Sequence, residues 1–303
     1  MAVAVDGATG YVGNHVVHQL RKQGVEVRAI VHPGAKQADC DFLQSTGAEI
    51  FKTDLQANSE TLKKALSGVD AVVHLIGSIA PKKGQKLEDL HGGMAEQLLL
   101  AAKGSNTKVV MITALGTAEN AESLYHRTKF QSEEFLRKSG LPYMILRPSL
   151  IIGRQVGKRD SKLMARYIHL INTRPRVPVL GGGANLLQPV FIGDLCAAIA
   201  KAALDGSLID QTLEIGGSEV LSMKELLGKL MRTLGKEKPL QAVPLGLASL
   251  IAPILEAVQN VPLLSRDQVK LSSTDNICSN NALESLLDSA PVQLEQALAT
   301  YKN

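Results

Sequence analysis

The sequence predicts an α/β fold, a doubly wound parallel sheet joined to a smaller, mostly helical C-terminal lobe, and three observations predict it. Short apolar runs alternate with segments of helical spacing through the first half of the chain. Three glycines at every third position, Gly7, Gly10 and Gly13, follow the first apolar run directly. Beyond Arg147 and Pro148 the alternation breaks, and helical spacing takes over most of the remaining chain.

The strands are Val3 to Val5, Glu26 to Val31, Glu49 to Lys52, Ala71 to Leu75, Lys108 to Thr113 and Tyr143 to Arg147, each short and apolar enough for a buried parallel sheet. Helical spacing fills Tyr11 to Gln23, Asn58 to Leu66, Leu87 to Lys103 and Ser123 to Ser139, and Gly24, Gly68, Gly104 and Gly140 stand where such helices stop. Right-handed crossovers between these strands place helices on both faces. After the sixth strand come a basic stretch, Arg154 to Arg166, a turn at Gly181, Gly182 and Gly183, and Pro189 to Ile192 leading into a helix that Asp194 is expected to cap. A last strand, Thr212 to Ile215, ends at Gly216 and Gly217. The expected division is a nucleotide-binding domain over residues 1–153, continued by 184–217, and a substrate or partner lobe over 154–183 and 218–303.

A chain of 303 residues, 45% of them hydrophobic, can bury a large core without covalent staples. Cys40, Cys196 and Cys278 are too few and too scattered for a disulfide framework or a zinc site, which suits a reducing compartment. A net charge of +4 and an aromatic content of 3%, with no Trp, argue against nucleic acid as a partner. Met1 is followed at once by the first strand, with no charged or amphipathic leader before it, so a cytoplasmic location is expected. The uncharged stretch Pro239 to Leu255 contains Pro244 and Pro253 and is shorter than the roughly 20 residues of a membrane span, so no transmembrane segment is expected.

Gly7-Ala8-Thr9-Gly10-Tyr11-Val12-Gly13 links the first strand to the first helix. Peptide N–H groups and the helix dipole can there meet a pyrophosphate with no side chain between. A plain strand-to-helix turn can carry the same glycines; their spacing and their place after the first strand favour a dinucleotide. Cofactor type is decided at the end of the second strand, where a carboxylate would hold the ribose of NAD and a cation would accept the extra phosphate of NADP. Arg28, His32 and Lys36 are available there and no carboxylate appears before Asp39, so NADP(H) is favoured over NAD(H). Asp54 and Leu55 past the third strand, and Leu75, Ile76 and Gly77 past the fourth, lie where the adenosine half would rest. Each of these also reads as simple loop or core.

Tyr125 and Lys129 stand one helical turn apart after the fifth strand. An ammonium so placed can lower the phenol pKa and make it a usable acid or base. The spacing alone is common; its position at the carboxyl edge of the sheet gives it weight. Together with the glycine motif and Leu146-Arg147-Pro148-Ser149 after the sixth strand, it resembles the atypical, extended short-chain dehydrogenases/reductases, NAD(P)-binding Rossmann proteins, over essentially the whole chain. Ala114-Leu115-Gly116, Gln188 to Asp194, Leu213 to Gly217 and Leu264 to Val269 resemble the branch that includes the Rossmann-fold accessory subunit of respiratory complex I and its bacterial relatives. The resemblance implies Tyr125 as acid/base, Lys129 on the nicotinamide ribose, Thr113 as the carbonyl-polarising hydroxyl, and Arg147, Pro148 and Ser149 beside the cofactor. Thr113-Ala114-Leu115 departs from the catalytic pattern, with one hydroxyl and no Ser pair. His91 occupies roughly the place where many relatives carry Asn, and reads as a surface residue before a ligand contact. Asp6, ahead of Gly7, has no counterpart in the motif.

Arg154, Lys158, Arg159, Lys162 and Arg166 face only Asp160 in their stretch, which suits either a solvated helix face or the binding of an anionic small-molecule substrate, phosphate, carboxylate or lipid headgroup. Leu247, Leu250, Ile251, Ile254, Leu255 and Val258 recur at helical spacing, the pattern of a core helix before that of a partner or peripheral membrane contact. Three functions stay open: an NADP(H)-dependent oxidoreductase moving hydride to or from a carbonyl or alcohol, a non-catalytic NADP(H)-binding accessory or assembly protein of a membrane complex, and a sugar-nucleotide epimerase or dehydratase. No residues form a metal site in the sequence.

Overall fold

Alternating Val and Ala leave the chain from Ala2 to Val5 with no polar side chain to present to water, and in the computed structural model it is a fully buried strand, β1 (Ala2–Val5). The structure describes residues 1–55, 60–79 and 83–302. Five further strands follow in the expected places: β2 (Glu26–Val31), β3 (Glu49–Lys52), β4 (Ala71–His74), β5 (Lys108–Ile112) and β6 (Tyr143–Pro148). Four short strands, β7 (Ile151–Ile152), β8 (Val177–Leu180), β9 (Leu186–Leu187) and β10 (Val190–Phe191), precede β11 (Gln211–Ile215), and β12 (Leu221–Ser222) and β13 (Leu240–Val243) come after it. The main sheet has the order β11-β6-β5-β4-β1-β2-β3. Its neighbours all run parallel. Chain direction across the sheet therefore reverses between β1 and β4, the position at which ligands of open parallel sheets bind.

The strand alternation sorts side chains into two cores. Val3 and Val5 point into one face with α1 (Tyr11–Lys22) and the buried Cys40 and Leu43 of α2 (Gln37–Ser45). Ala2 and Ala4 point into the other, covered by α3 (Glu60–Leu66), α4 (Met94–Ala102) and Leu136 of α5 (Leu124–Arg137). The short α2 was not expected; only Asp39, Cys40 and Leu43 of it are buried, too little for a periodic signal. The expected start of the third helix, Asn58, lies outside the described residues. The fourth begins with a π-helical turn, Asp89–Gly93, before α4.

The lobe is built from α6 (Lys162–Thr173), then, after α7 (Ile192–Leu204) has returned to the first core, from α8 (Met223–Thr233), α9 (Leu245–Val258), α10 (Arg266–Leu271) and α11 (Leu294–Ala299). Ile152, Met164, Ile171, Leu226, Leu230 and Leu298 form its core. Two sequence expectations are corrected here. Asp194 is not a cap: α7 starts at Ile192 behind Phe191, and the Asp194 carboxylate lies within the first turn, accepting from Val292 N at 2.8 Å. Most of the Leu245 to Val258 stripe is not core either, because α9 fully buries only Ala248 and Ala252, with Leu245 half-buried beside them, and leaves Leu250 72% exposed.

Candidate functional site: a dinucleotide cleft with a tyrosine and a lysine at its edge

After β1 the chain turns through Gly7, at φ +58°, and Gly10 N donates to Gly7 O at 2.8 Å. A Cβ on Gly13 would lie 2.3 Å from Gly7 O and 2.7 Å from the Ala8 Cα, so this approach of α1 to the turn admits only glycine. Gly10 caps α1 without a side-chain hydrogen bond. The N–H groups of Tyr11, Val12 and Gly13 therefore open the helix with no intrahelical acceptor, beside a turn where Thr9 and Gly10 are part-exposed. Such a cradle fits a diphosphate and would be filled by any larger residue.

Opposite it, at the end of β4, lies the segment Leu75, Ile76, Gly77. Asp6 holds that segment: one carboxylate oxygen accepts from Leu75 N at 2.7 Å and Ile76 N at 3.2 Å, and the other meets His74 Nδ1. Both Asp6 and His74 are buried. Asp6 thus ties the two strands that flank the switch point, a role the sequence did not suggest.

Tyr125 is half-buried on the first turn of α5, whose N-cap Ser123 accepts from His126 N. Burial pushes its phenol up to about 12. Its hydroxyl has no hydrogen bond among the described residues. Lys129, one turn on, is buried and reaches back to the strand ends, donating to Ile76 O at 3.0 Å and Ile112 O at 3.3 Å. Burial lowers the ammonium to about 8, against the opposing pull of Asp6 and Glu133. A Cβ on Gly77 would lie only 2.7 Å from Nζ. The lysine therefore stands between the β4 turn and the tyrosine helix.

His91 is not a surface residue. It is fully buried, its ring meets the Tyr125 ring edge-on at 5.3 Å, Nδ1 pairs with Thr128 Oγ1 at 2.7 Å, and Nε2 accepts from Ser78 N at 3.2 Å. Accepting at Nε2 makes Nδ1 the protonated nitrogen, and burial followed by the nearby Lys129 charge lowers the ring to about 2, so it stays neutral. The π turn, which widens the helix by one residue, brings it there.

Thr113 does not offer a free hydroxyl. Its Oγ1 donates to Glu133 Oε1 at 2.7 Å, and the fully buried Glu133 also takes Arg147 Nε at 2.9 Å, Arg147 Nη2 at 2.6 Å and Arg137 Nη2 at 2.8 Å. Arg147 is engaged by the same carboxylate. Ser149 Oγ donates to Asn276 at 2.7 Å, and Pro148 is a buried strand residue beside Ile215. The unpartnered hydroxyl of the β5–α5 loop is instead the buried Thr117 Oγ1.

Of the three cations expected at the adenosine end, Arg28 is elsewhere: its Nη1 donates to Lys64 O, Ala65 O and Ser67 O and so closes the C-terminus of α3. Its alternation along β2 explains this, since Val27, Ala29 and Val31 face the α1 side and Arg28 the α3 side. His32 and Lys36 are exposed at the end of β2, with Gly34 N donating to His32 Nδ1 at 2.9 Å. Asp54 is half-buried and Leu55 buried just past β3, where Thr53 N donates to Val31 O.

The basic stretch supplies a strap that sequence reasoning missed. Tyr11 Oη donates to Gly153 O at 2.6 Å, His15 Nε2 lies 3.1 Å from Arg154 O, and Arg159 reaches Asp39 of α2 at 3.4 Å. Between them Gly157 sits so close to α1 that a Cβ would be 1.6 Å from Asn14 Oδ1. Residues 153–159 thus run from α1 to α2 beside the glycine turn. The signal was present in Gly153, just before the cations, and Gly157, which interrupts them.

A family model described as NAD(P)H-binding matches residues 7–165, which is more than half of the chain and spans the glycine turn, the tyrosine helix and the strap. The chain belongs to the NAD(P)H-binding family. Its Rossmann fold and its match to atypical short-chain dehydrogenases/reductases agree with the sequence reading. Among relatives of this family member, the mitochondrial NADH dehydrogenase [ubiquinone] 1 alpha subcomplex subunit 9 of Arabidopsis thaliana is 27% identical over 298 residues, 94% of this chain and 72% of that protein. The chloroplastic divinyl chlorophyllide a 8-vinyl-reductase of Cucumis sativus is 25% identical, covering 84% of this chain and 62% of the reductase. The structure of UDP-glucuronic acid 4-epimerase from Bacillus cereus, in complex with UDP-glucuronic acid and NAD, has a TM-score of 0.74 at 20% identity, covering 99% of this chain and 97% of the epimerase. That likeness establishes the fold.

Proposed function

We propose that this NAD(P)H-binding protein is an NADP(H)-dependent oxidoreductase acting on a small carbonyl or alcohol, with Tyr125 as the proton-transferring group. A bound nicotinamide supplies or receives the hydride. The observation that carries the reading is the Tyr125 hydroxyl, without a hydrogen bond among the described residues, at the carboxyl edge of the sheet one helical turn from a buried lysine that borders Gly77. Tyr125 is protonated near neutral pH, the form that can give a proton to a carbonyl oxygen as hydride arrives, and in the reverse direction it takes the proton back. Tyr11, Val12 and Gly13 N–H groups hold the diphosphate, Lys129 the nicotinamide ribose, and His32, Lys36 and the strap residue Arg159 the extra phosphate of NADP(H). The mitochondrial and chloroplast relatives, a subunit of an NADH dehydrogenase and a reductase by name, are compatible with such a role.

A second reading, cofactor retention without turnover in a protein that attaches to a membrane complex, is favoured by Thr113, whose hydroxyl is engaged by Glu133. A crystal structure with NADPH separates the two. The enzyme reading expects Tyr125 Oη within about 3 to 4 Å of an open substrate position facing nicotinamide C4. A tyrosine walled off from C4 leaves the retention reading.

A further inference from the structure

Helix α9 has no charged side chain before Glu256, and the preceding residues from Pro239 onward have none. Its inward side is Ala248 and Ala252, with Leu245 at its start, packed on Val269 of α10 and on Leu180, Val243 and Leu264. Outward it presents Leu247, Leu250, Ile251, Ile254 and Val258, at i, i+3, i+4, i+7 and i+11, followed by Val261 and Leu263. Exposures run from 39% at Ile251 to 72% at Leu250, and these seven are half of the exposed large apolar side chains among the described residues. Isolated exposed leucines are ordinary; a continuous apolar helix face is an interaction surface.

The charges at the end of this face have one dominant sign. Arg166 Nη1 donates to Leu263 O, Lys83 N donates to Asn260 O, and Arg266 follows Leu263 by three residues, all three side chains being exposed. Glu256 is paired with Arg266 Nε at 2.8 Å, so these two charges offset each other and the positive sign of this end comes from Arg166 and Lys83. From Leu245 to Leu255 the polar side chain on offer is Ser249, so the face provides almost none of the hydrogen bonds, about one per 100–200 Å², by which a protein partner is registered. An apolar helix face bordered by cations is the pattern of a helix lying in the headgroup layer of an anionic bilayer. Among the described residues no helix is long and apolar enough to cross a membrane, so the contact is with the surface.

We propose that the α9 face docks on an anionic lipid bilayer, with Leu250, Ile254 and Val258 entering the acyl boundary and Lys83 and Arg166 meeting the headgroups. The test is co-sedimentation of the full chain with vesicles of phosphatidylcholine alone or mixed with phosphatidylglycerol. Binding is expected to the mixed vesicles, and to fall at least about tenfold in Leu250→Ser/Ile254→Ser/Val258→Ser, whose changes remove buried apolar area only on the bilayer. Lys83→Gln/Arg166→Gln is expected to lose most of the preference for the mixed vesicles while keeping the residual binding to phosphatidylcholine. Unchanged NADPH affinity and melting temperature verify that each variant folds. Failure of the folded wild type to bind either vesicle, or equal binding by the folded triple variant, overturns the proposal. So does a wild-type dimer in solution that the triple variant dissolves, since the face would then cover a second copy.

Discussion

Asp6 and His74 meet across the β1–β4 pair, carboxylate to Nδ1, with neither side chain reaching solvent. The same carboxylate receives the N–H groups of Leu75 and Ile76, so the residue before Gly7 fixes the turn on the far side of the cleft. The two backbone segments that flank the proposed dinucleotide site are thereby held as one unit, which pre-organises the site at the cost of a buried charge.

Asp6→Asn keeps the shape and removes the charge. It is expected to lower stability by an amount on the order of 3 kcal/mol, because a buried carboxylate with three donors is replaced by a group that matches them poorly. Urea unfolding monitored by circular dichroism checks this; a change within experimental error would show that the pair holds nothing.

Lys129 gives a pH dependence of known sign. Its folded-state pKa, lowered by burial to about 8 from an ordinary 10.5, means that the unfolded chain binds more protons between those values. Stability attributable to this group therefore rises with pH across that interval, and is at its lowest below about pH 8. The expected rise in wild type relative to Lys129→Met is roughly 3 kcal/mol between pH 8 and 10.5. The same pH dependence of stability in the two proteins over that range would contradict a lowered Lys129 pKa.

Tyr125 is expected to ionise late. Alkaline titration of tyrosinate absorbance should show a component near pH 12 that Tyr125→Phe lacks. Under the proposed chemistry the same variant loses at least about a hundredfold in carbonyl reduction while its NADPH affinity stays within about threefold. Equal turnover by Tyr125→Phe would reassign the proton to another group.

Much of this was legible in advance, and the residues show why. Strand and helix periods in the first half depend on local alternation, so β2 and β3 fall where the sequence places them. Gly13 was readable because its neighbours are three and six residues away. Most of the misreadings involve partners distant in sequence. Arg28 reads as a phosphate ligand until the carbonyls at the end of α3 are brought beneath it. Thr113 reads as a catalytic hydroxyl until Glu133, twenty residues later on α5, claims it. His91 and Asp6 look superfluous as isolated letters because their partners, Thr128 and His74, lie on other elements. Asp194 followed the usual preference for a cap, but Phe191 and Ile192 already fit the start of α7 by packing into the core.

Cofactor preference separates the cations. NADPH is expected to bind more tightly than NADH, with the gap narrowing in His32→Ala, Lys36→Ala and Arg159→Ala. Arg28→Ala is expected to leave the gap unchanged and to lower the melting temperature, because its guanidinium closes α3. Equal affinity for the two dinucleotides in the wild type contradicts the NADP(H) assignment.

The most direct test of the account is isothermal calorimetry of NADPH with the wild type and Gly13→Ala. A methyl group at residue 13 would fall 2.3 Å from Gly7 O and force the turn apart. Saturable binding by the wild type, weakened at least about tenfold in a variant that still folds, is the predicted result. Absence of binding by the wild type, or equal binding by the two proteins, contradicts the claim that the glycine turn grips the diphosphate.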